Sequence, residues 1–97
     1  MSAAGLPRNW RDSLPSPASY YACHVAKLGR SNAAGWAQGL CPFHEDHSPS
    51  LSVQIVGDRG SWRCFGPCGS GDMIDFHRRL NGLSFLDAVR DLTGLRP

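Results

Sequence analysis

Strict alternation of apolar and polar side chains occurs at Leu51-Ser52-Val53-Gln54-Ile55, and it predicts a strand buried on one side only. Gly57-Asp58-Arg59-Gly60 follows as a hairpin turn, and Ser61 to Phe65 returns as a partner strand. Upstream, Trp36 to Leu40 reads as a first strand. Helical spacing flanks this ribbon. Tyr21, Val25 and Leu28 recur at i, i+4 and i+7 behind Ser16 as N-cap and Pro17 at the first helical position, predicting about three turns that run to Gly29. Beyond the ribbon, Ser70 or Asp72 caps a helix with Met73, Phe76, His77 and Leu80 on one face, closed by Gly82. Ser84-Phe85-Leu86-Asp87 has the form of a capping box, with Phe85, Ala88, Val89 and Leu92 behind it and Gly94 at the end. Residues 1–15 carry no periodicity and read as a flexible tail, Trp10 excepted. The pattern predicts one small α+β domain over 16–97. It has an antiparallel sheet of three strands or slightly more, with one helix before it and two after it.

A chain of 97 residues with 41% hydrophobic content, swollen by Ala and Cys, builds one small core. Domains of this size commonly need a staple. The sequence offers one. Cys41-Pro42-Phe43-His44 and Cys64-Phe65-Gly66-Pro67-Cys68 are two short ligand pairs on turn-forming residues, separated by room for a hairpin. Three thiolates, Cys41, Cys64 and Cys68, with neutral His44 make a closed Cys3His shell for a single structural zinc ion. The competing reading is four cysteines in two disulfides. The start, Met1-Ser2-Ala3-Ala4-Gly5-Leu6-Pro7-Arg8, has no apolar signal core, and no run approaches a membrane span. A cytoplasmic location is therefore expected, where thiols stay reduced and metal is favoured. Cys23 and His24 are adjacent on the first helix and point about 100° apart, too divergent to chelate one ion. Cys23 is expected in the core and His24 at the surface or boundary. His47 is expected in a solvated turn with Glu45 and Asp46, and His77 in the core rather than on a metal.

The wording around the ligands narrows the reading. Gly39-Leu40-Cys41-Pro42-Phe43-His44, Ser48-Pro49-Ser50-Leu51-Ser52-Val53, Trp62-Arg63-Cys64-Phe65 and Gly71-Asp72-Met73-Ile74-Asp75-Phe76 together resemble the zinc-binding domain of DnaG-type bacterial, phage and plasmid DNA primases. The resemblance runs from about Tyr20 to Leu92. It departs from the family at one point: the second ligand pair, usually Cys-x-x-Cys, is widened here by one residue at Pro67, while the distance from Cys64 to Asp72 is kept. The resemblance implies a module that helps recognise single-stranded template DNA in replication, with a separate primase catalytic domain or a replicative helicase as further partners.

The residues agree that the chain is no enzyme by itself. Its eight acids are scattered, without the D-x-D or Gly-rich phosphate loop that nucleotide polymerisation calls for. The net charge of +2 is mild, but nine of the ten cations are arginine, suited to phosphate contacts and base stacking. Single strands are held by basic grooves with aromatic platforms. Arg59, Arg63 and one of Trp62 or Phe65 are the candidate DNA contacts, with Lys27, Arg30, Arg78 and Arg79 at the rim. The rival function is a zinc-stabilised adaptor that binds a replication or transfer protein and touches no DNA.

Overall fold

The alternating stretch becomes the second strand of a four-stranded antiparallel sheet in the computed structural model, which describes residues 7–45 and 49–94. The strands are β1 (Trp36–Gly39), β2 (Leu51–Gln54), β3 (Trp62–Cys64) and β4 (Ser70–Gly71), lying side by side in chain order. Ala37 pairs with Val53, Leu51 with Cys64 and Val53 with Trp62, so one face collects Ala37, Leu51, Val53, Trp62 and Cys64, all buried. On the other face Gln38 pairs with Ser52, Ser52 with Arg63, and Arg63 with Ser70. β4 extends the expected three strands to four. Two residues are too few to show alternation, and the strand exists because Trp62 and Arg63 offer their free edge to Gly71 and Ser70.

Helix α1 (Pro17–His24) starts as its sequence dictates: the Ser16 hydroxyl accepts the Ser19 amide, and Pro17 fills the first helical position. It stops earlier than Gly29. Val25 is already extended at φ −113°, ψ 117°, and Lys27 takes a positive φ of 56°. The reason is tertiary. The segment after Val25 runs along the outer edge of β1, with the Gly29 amide donating to the Gln38 carbonyl and the Leu40 amide to Ala26, each at 2.9 Å. Edge pairing there outweighs one more helical turn. Cys23 is exposed on α1 rather than in the core, because two residues beyond Tyr21 it stands about 200° round the helix from that buried ring.

α2 (Met73–Asn81) and α3 (Phe85–Thr93) have their expected caps. Asp72 accepts the Asp75 amide at 2.8 Å, Ser84 accepts the Asp87 amide at 3.1 Å, and Gly82 and Gly94 close the helices in the left-handed conformation. Phe76 is the hub of the core. Its ring lies 4.9–5.9 Å from those of Tyr20, Tyr21, Phe43 and Trp62, mostly edge to face. His77 is buried at 5% exposure, its Nδ1 2.8 Å from the Tyr20 hydroxyl and its Nε2 2.5 Å from Asp91, so one imidazole joins all three helices. A second, smaller cluster of Ile74, Ala88 and Val89 is covered by Trp10 and Leu14. Where a tail was expected, the described residues from Pro7 onward form a short 3-10 helix, Trp10–Ser13. Trp10 meets Phe85 edge to face at 6.0 Å. No helix among the described residues is long and apolar enough to cross a membrane.

Candidate metal centre

Sheet register places the two ligand pairs at one end of the ribbon. Gly39, Leu51 and Cys64 form a single row across β1, β2 and β3, so the turn after β1 and the turn after β3 leave the sheet together. The first carries Cys41 and His44, the second Cys68. Phe43, between the first two ligands, packs on Trp62 and Phe76 at 5.3 and 4.9 Å and anchors that turn to the core.

The ligand atoms of Cys41, His44, Cys64 and Cys68 all lie within 4.8 Å of one another, the metal-competent cluster among the described residues. Nδ1 is the imidazole atom that faces the thiols, 3.1 Å from Cys68 Sγ and 3.9 Å from Cys64 Sγ. A tetrahedral ion with the usual Zn–S and Zn–N bond lengths would set a sulfur and a ring nitrogen about 3.5 Å apart, a value that the two separations bracket, so the cluster is of a size that suits zinc. All four cysteines are thiols, which sets the two-disulfide reading aside.

Electrostatics also fits a dication. Burial, helped by the neighbouring thiols of Cys64 and Cys68, pushes the Cys41 thiol up to about 12 against the pull of the Phe43 amide. Cys68 is likewise raised, by burial first and then by Cys64. Burial also opposes ionisation of Cys64, but the amides of Cys68 and Gly66, the latter 3.3 Å from Sγ, bring that thiol below its ordinary value. Three sulfurs this close resist ionising together, and a bound cation relieves that resistance. Cys41, His44, Cys64 and Cys68 would hold the zinc. With four protein ligands the ion supplies cross-linking and charge neutralisation, with no coordination position left for water.

The other candidate residues divide. Phe65 is 61% exposed with the Arg63 guanidinium 5.3 Å above its ring, and both lie beside the metal turn. Trp62 is 1% exposed and offers no face to a base. Arg59 lines a cavity of about 200 Å³ with Arg11, Asp58, Asp72 and Met73 at the start of α2. Arg78 is spent on the Leu83 carbonyl at 3.4 Å and on Asp75 at 3.9 Å, and Arg79 donates to the Cys68 carbonyl. Lys27 and Arg30 line a groove of about 490 Å³ with Trp36, Gln38 and Ser52. Trp36 and Gln38 were missed from sequence. Trp36 pairs with Gln54, and strand parity would have put both residues on the face of Arg63 had the register been known. His47 lies outside the described residues.

Residues 20–95 match the family described as the CHC2 zinc finger. The chain is 46% identical over 68 residues to a DNA primase of Myxococcus xanthus, which covers 70% of this chain and 10% of the primase. It is 44% identical over 54 residues to a DNA primase of Lactococcus lactis, covering 56% of this chain and 8% of the primase. For a DNA primase of Deinococcus radiodurans the identity is 43% over 58 residues, 60% of this chain and 10% of that one. The chain thus spans about a tenth of the curated relatives it matches. Among solved structures, the Aquifex aeolicus primase, comprising zinc-binding and RNA polymerase domains, superposes with a TM-score of 0.69 at 20% identity, covering 95% of this chain and 23% of that one. The fold is thus shared with a primase structure, the cluster of three thiols and an imidazole sits within the matched residues, and the chain belongs to the CHC2 zinc-finger family, the zinc ribbon of DnaG-type DNA primases.

Proposed function

We propose that this zinc ribbon recognises single-stranded template DNA for primer synthesis and leaves catalysis to another domain. The observation that carries the reading is the polar face of the sheet. There exposed Gln38 and Arg63 flank the buried Ser52 in one row, with exposed Phe65 under the Arg63 guanidinium at one side. Trp36, Lys27 and Arg30 border the groove at the other. Cations, hydrogen-bonding side chains and an exposed ring on one surface suit phosphates, base edges and a stacked base. Phe65 and Arg63 are the central contacts, and Lys27 and Arg30 bind the backbone. Arg59, Arg78 and Arg79 contribute general field rather than direct contact. The partners are single-stranded DNA and the catalytic domain of a primase or a replicative helicase, in the cytoplasm.

Fluorescence anisotropy with short labelled single strands tests this. Binding should weaken steeply with salt, because phosphate contacts release counterions. Phe65→Ala should cost about 1–3 kcal/mol of binding, the value of one stacked base, without lowering the melting temperature. Arg63→Ala should also flatten the salt slope. No binding at low salt would instead favour the protein-binding adaptor.

A further inference from the structure

We propose that Arg79 is a positioning residue for the zinc ligand Cys68, and that its hydrogen bond to the Cys68 carbonyl accommodates the extra residue in the second ligand pair. The inference concerns the zinc site and stands whether or not the sheet binds DNA.

The sheet restricts where an extra residue can go. Trp62 pairs with Gly71 and Arg63 with Ser70, and Asp72 then caps α2. With both ends held, the widening at Pro67 is absorbed inside the turn from Cys64 to Gly69, closed by the Cys64 amide donating to the Gly69 carbonyl at 2.8 Å. Cys68 therefore stands one residue nearer to β4 than the thiol of a Cys-x-x-Cys pair. It is half-buried, whereas Cys41 and Cys64 are buried. Its carbonyl is met by Arg79 Nη1 from α2.

Arg79 is itself held in place. Nε lies 3.6 Å from Asp75 Oδ2, one turn earlier on the helix, and the guanidinium carbon lies 5.1 Å over the Trp62 ring. Asp75 in turn rests on the backbone of β4 so closely that a Cβ at Gly71 would come within 2.3 Å of its Oδ2. The chain of contacts runs Gly71, Asp75, Arg79, Cys68, from the sheet back to the ligand. A planar guanidinium can serve a carboxylate, a carbonyl and a ring at once, which a lysine ammonium cannot. Contacts behind a ligand fix its orientation, and their loss typically costs 10–100-fold in metal affinity. Arg78 is the internal control, since it also reaches Asp75 but makes its backbone contact to Leu83, away from the metal turn.

The test measures the zinc affinity of the chain by competition with a chromophoric chelator, alongside the thiolate-to-cobalt charge-transfer band of the cobalt form. Arg79→Met keeps the apolar stem and loses the donors; it should weaken zinc about 10–100-fold and perturb the cobalt band. Arg79→Lys keeps one donor and should fall between Met and the native residue. Arg78→Ala should change neither readout. The double variant Pro67→Cys, Cys68→Gly returns the thiol to Cys-x-x-Cys spacing at constant length. In that background Arg79→Met should alter zinc affinity by no more than about twofold, as for uncoupled sites. Native zinc affinity in Arg79→Met, or an equal loss in both backgrounds, overturns the proposal. Should the double variant fail to fold, the comparison of Met with Lys decides it.

Discussion

Cys41 and Cys68 differ in burial, yet both must surrender a proton before zinc can bind. Cys41 is pushed up to about 12 and Cys68 is raised, while Cys64 alone is lowered by its amide donors. At neutral pH the metal-free site therefore holds at least two of these protons, and zinc binding expels them. Affinity must rise with pH and fall with acid. With at least two protons displaced, the apparent zinc constant should drop at least about a hundredfold per unit between pH 8 and pH 6, measured by chelator competition. A slope near zero would mean that the thiols were ionised beforehand. The ligands were legible because metal spacing is local: two residues of one chain, a few apart, on a turn. Cys23 was misplaced for the opposite reason. Its burial depended on which face of α1 packs on the core, and Tyr20 and Tyr21 fix the face away from it. Cobalt titration of Cys23→Ser should accordingly keep three thiolates, against two in Cys68→Ser.

Elements whose ends are marked by their own side chains were read correctly, and those ended by a neighbour were not. α2 and α3 carry Asp72 and Ser84 as caps and glycine stops, so α3 and the end of α2 were legible to within a residue, while the start of α2 stood open between Ser70 and Asp72. α1 was cut short because the chain from Val25 to Gly29 lies against β1. There a Cβ on Gly39 would stand 2.5 Å from Val25 Cγ1, 3.1 Å from the Ala26 carbonyl and 3.2 Å from Leu28 Cα. Two of those three neighbours are backbone and cannot swing aside. Gly39→Ala should thus separate the segment from the strand and destabilise the zinc-loaded fold by about 1–3 kcal/mol, read as a lower urea midpoint. Equal midpoints would show that the segment is only loosely laid on β1. The 3-10 helix Trp10–Ser13 and β4 escaped the sequence because each is stabilised by a partner distant in the chain, Phe85 for the one and β3 for the other.

At the scale of the molecule, the metal turn and the aromatic core are one structure. Phe43 lies between Cys41 and His44 and touches Trp62 and Phe76; Phe76 touches Tyr20 and Tyr21 from α1. Releasing the ion frees the turn that holds Phe43, and the gap opens at the hub of the core. The remaining cluster under α3 has only Ile74, Ala88 and Val89 fully buried, too little apolar area to hold three helices alone. Structural zinc supplies about 10–16 kcal/mol of apparent binding energy in small domains, as much as or more than the 5–15 kcal/mol by which whole domains are stable. Chelation should therefore unfold the chain rather than loosen one end. Far-UV ellipticity, which reports the helices, and the tryptophan fluorescence of a Trp10→Phe, Trp36→Phe variant, which reports Trp62 in the core, should be lost with a single midpoint as chelator rises. Both should return on adding zinc. Phe76→Ala should shift that midpoint to lower chelator, because filling the hub contributes about 3–5 kcal/mol. Helical signal that outlasts the fluorescence change would mean that α2 and α3 stand without the metal, and the coupling through Phe43 would be refuted.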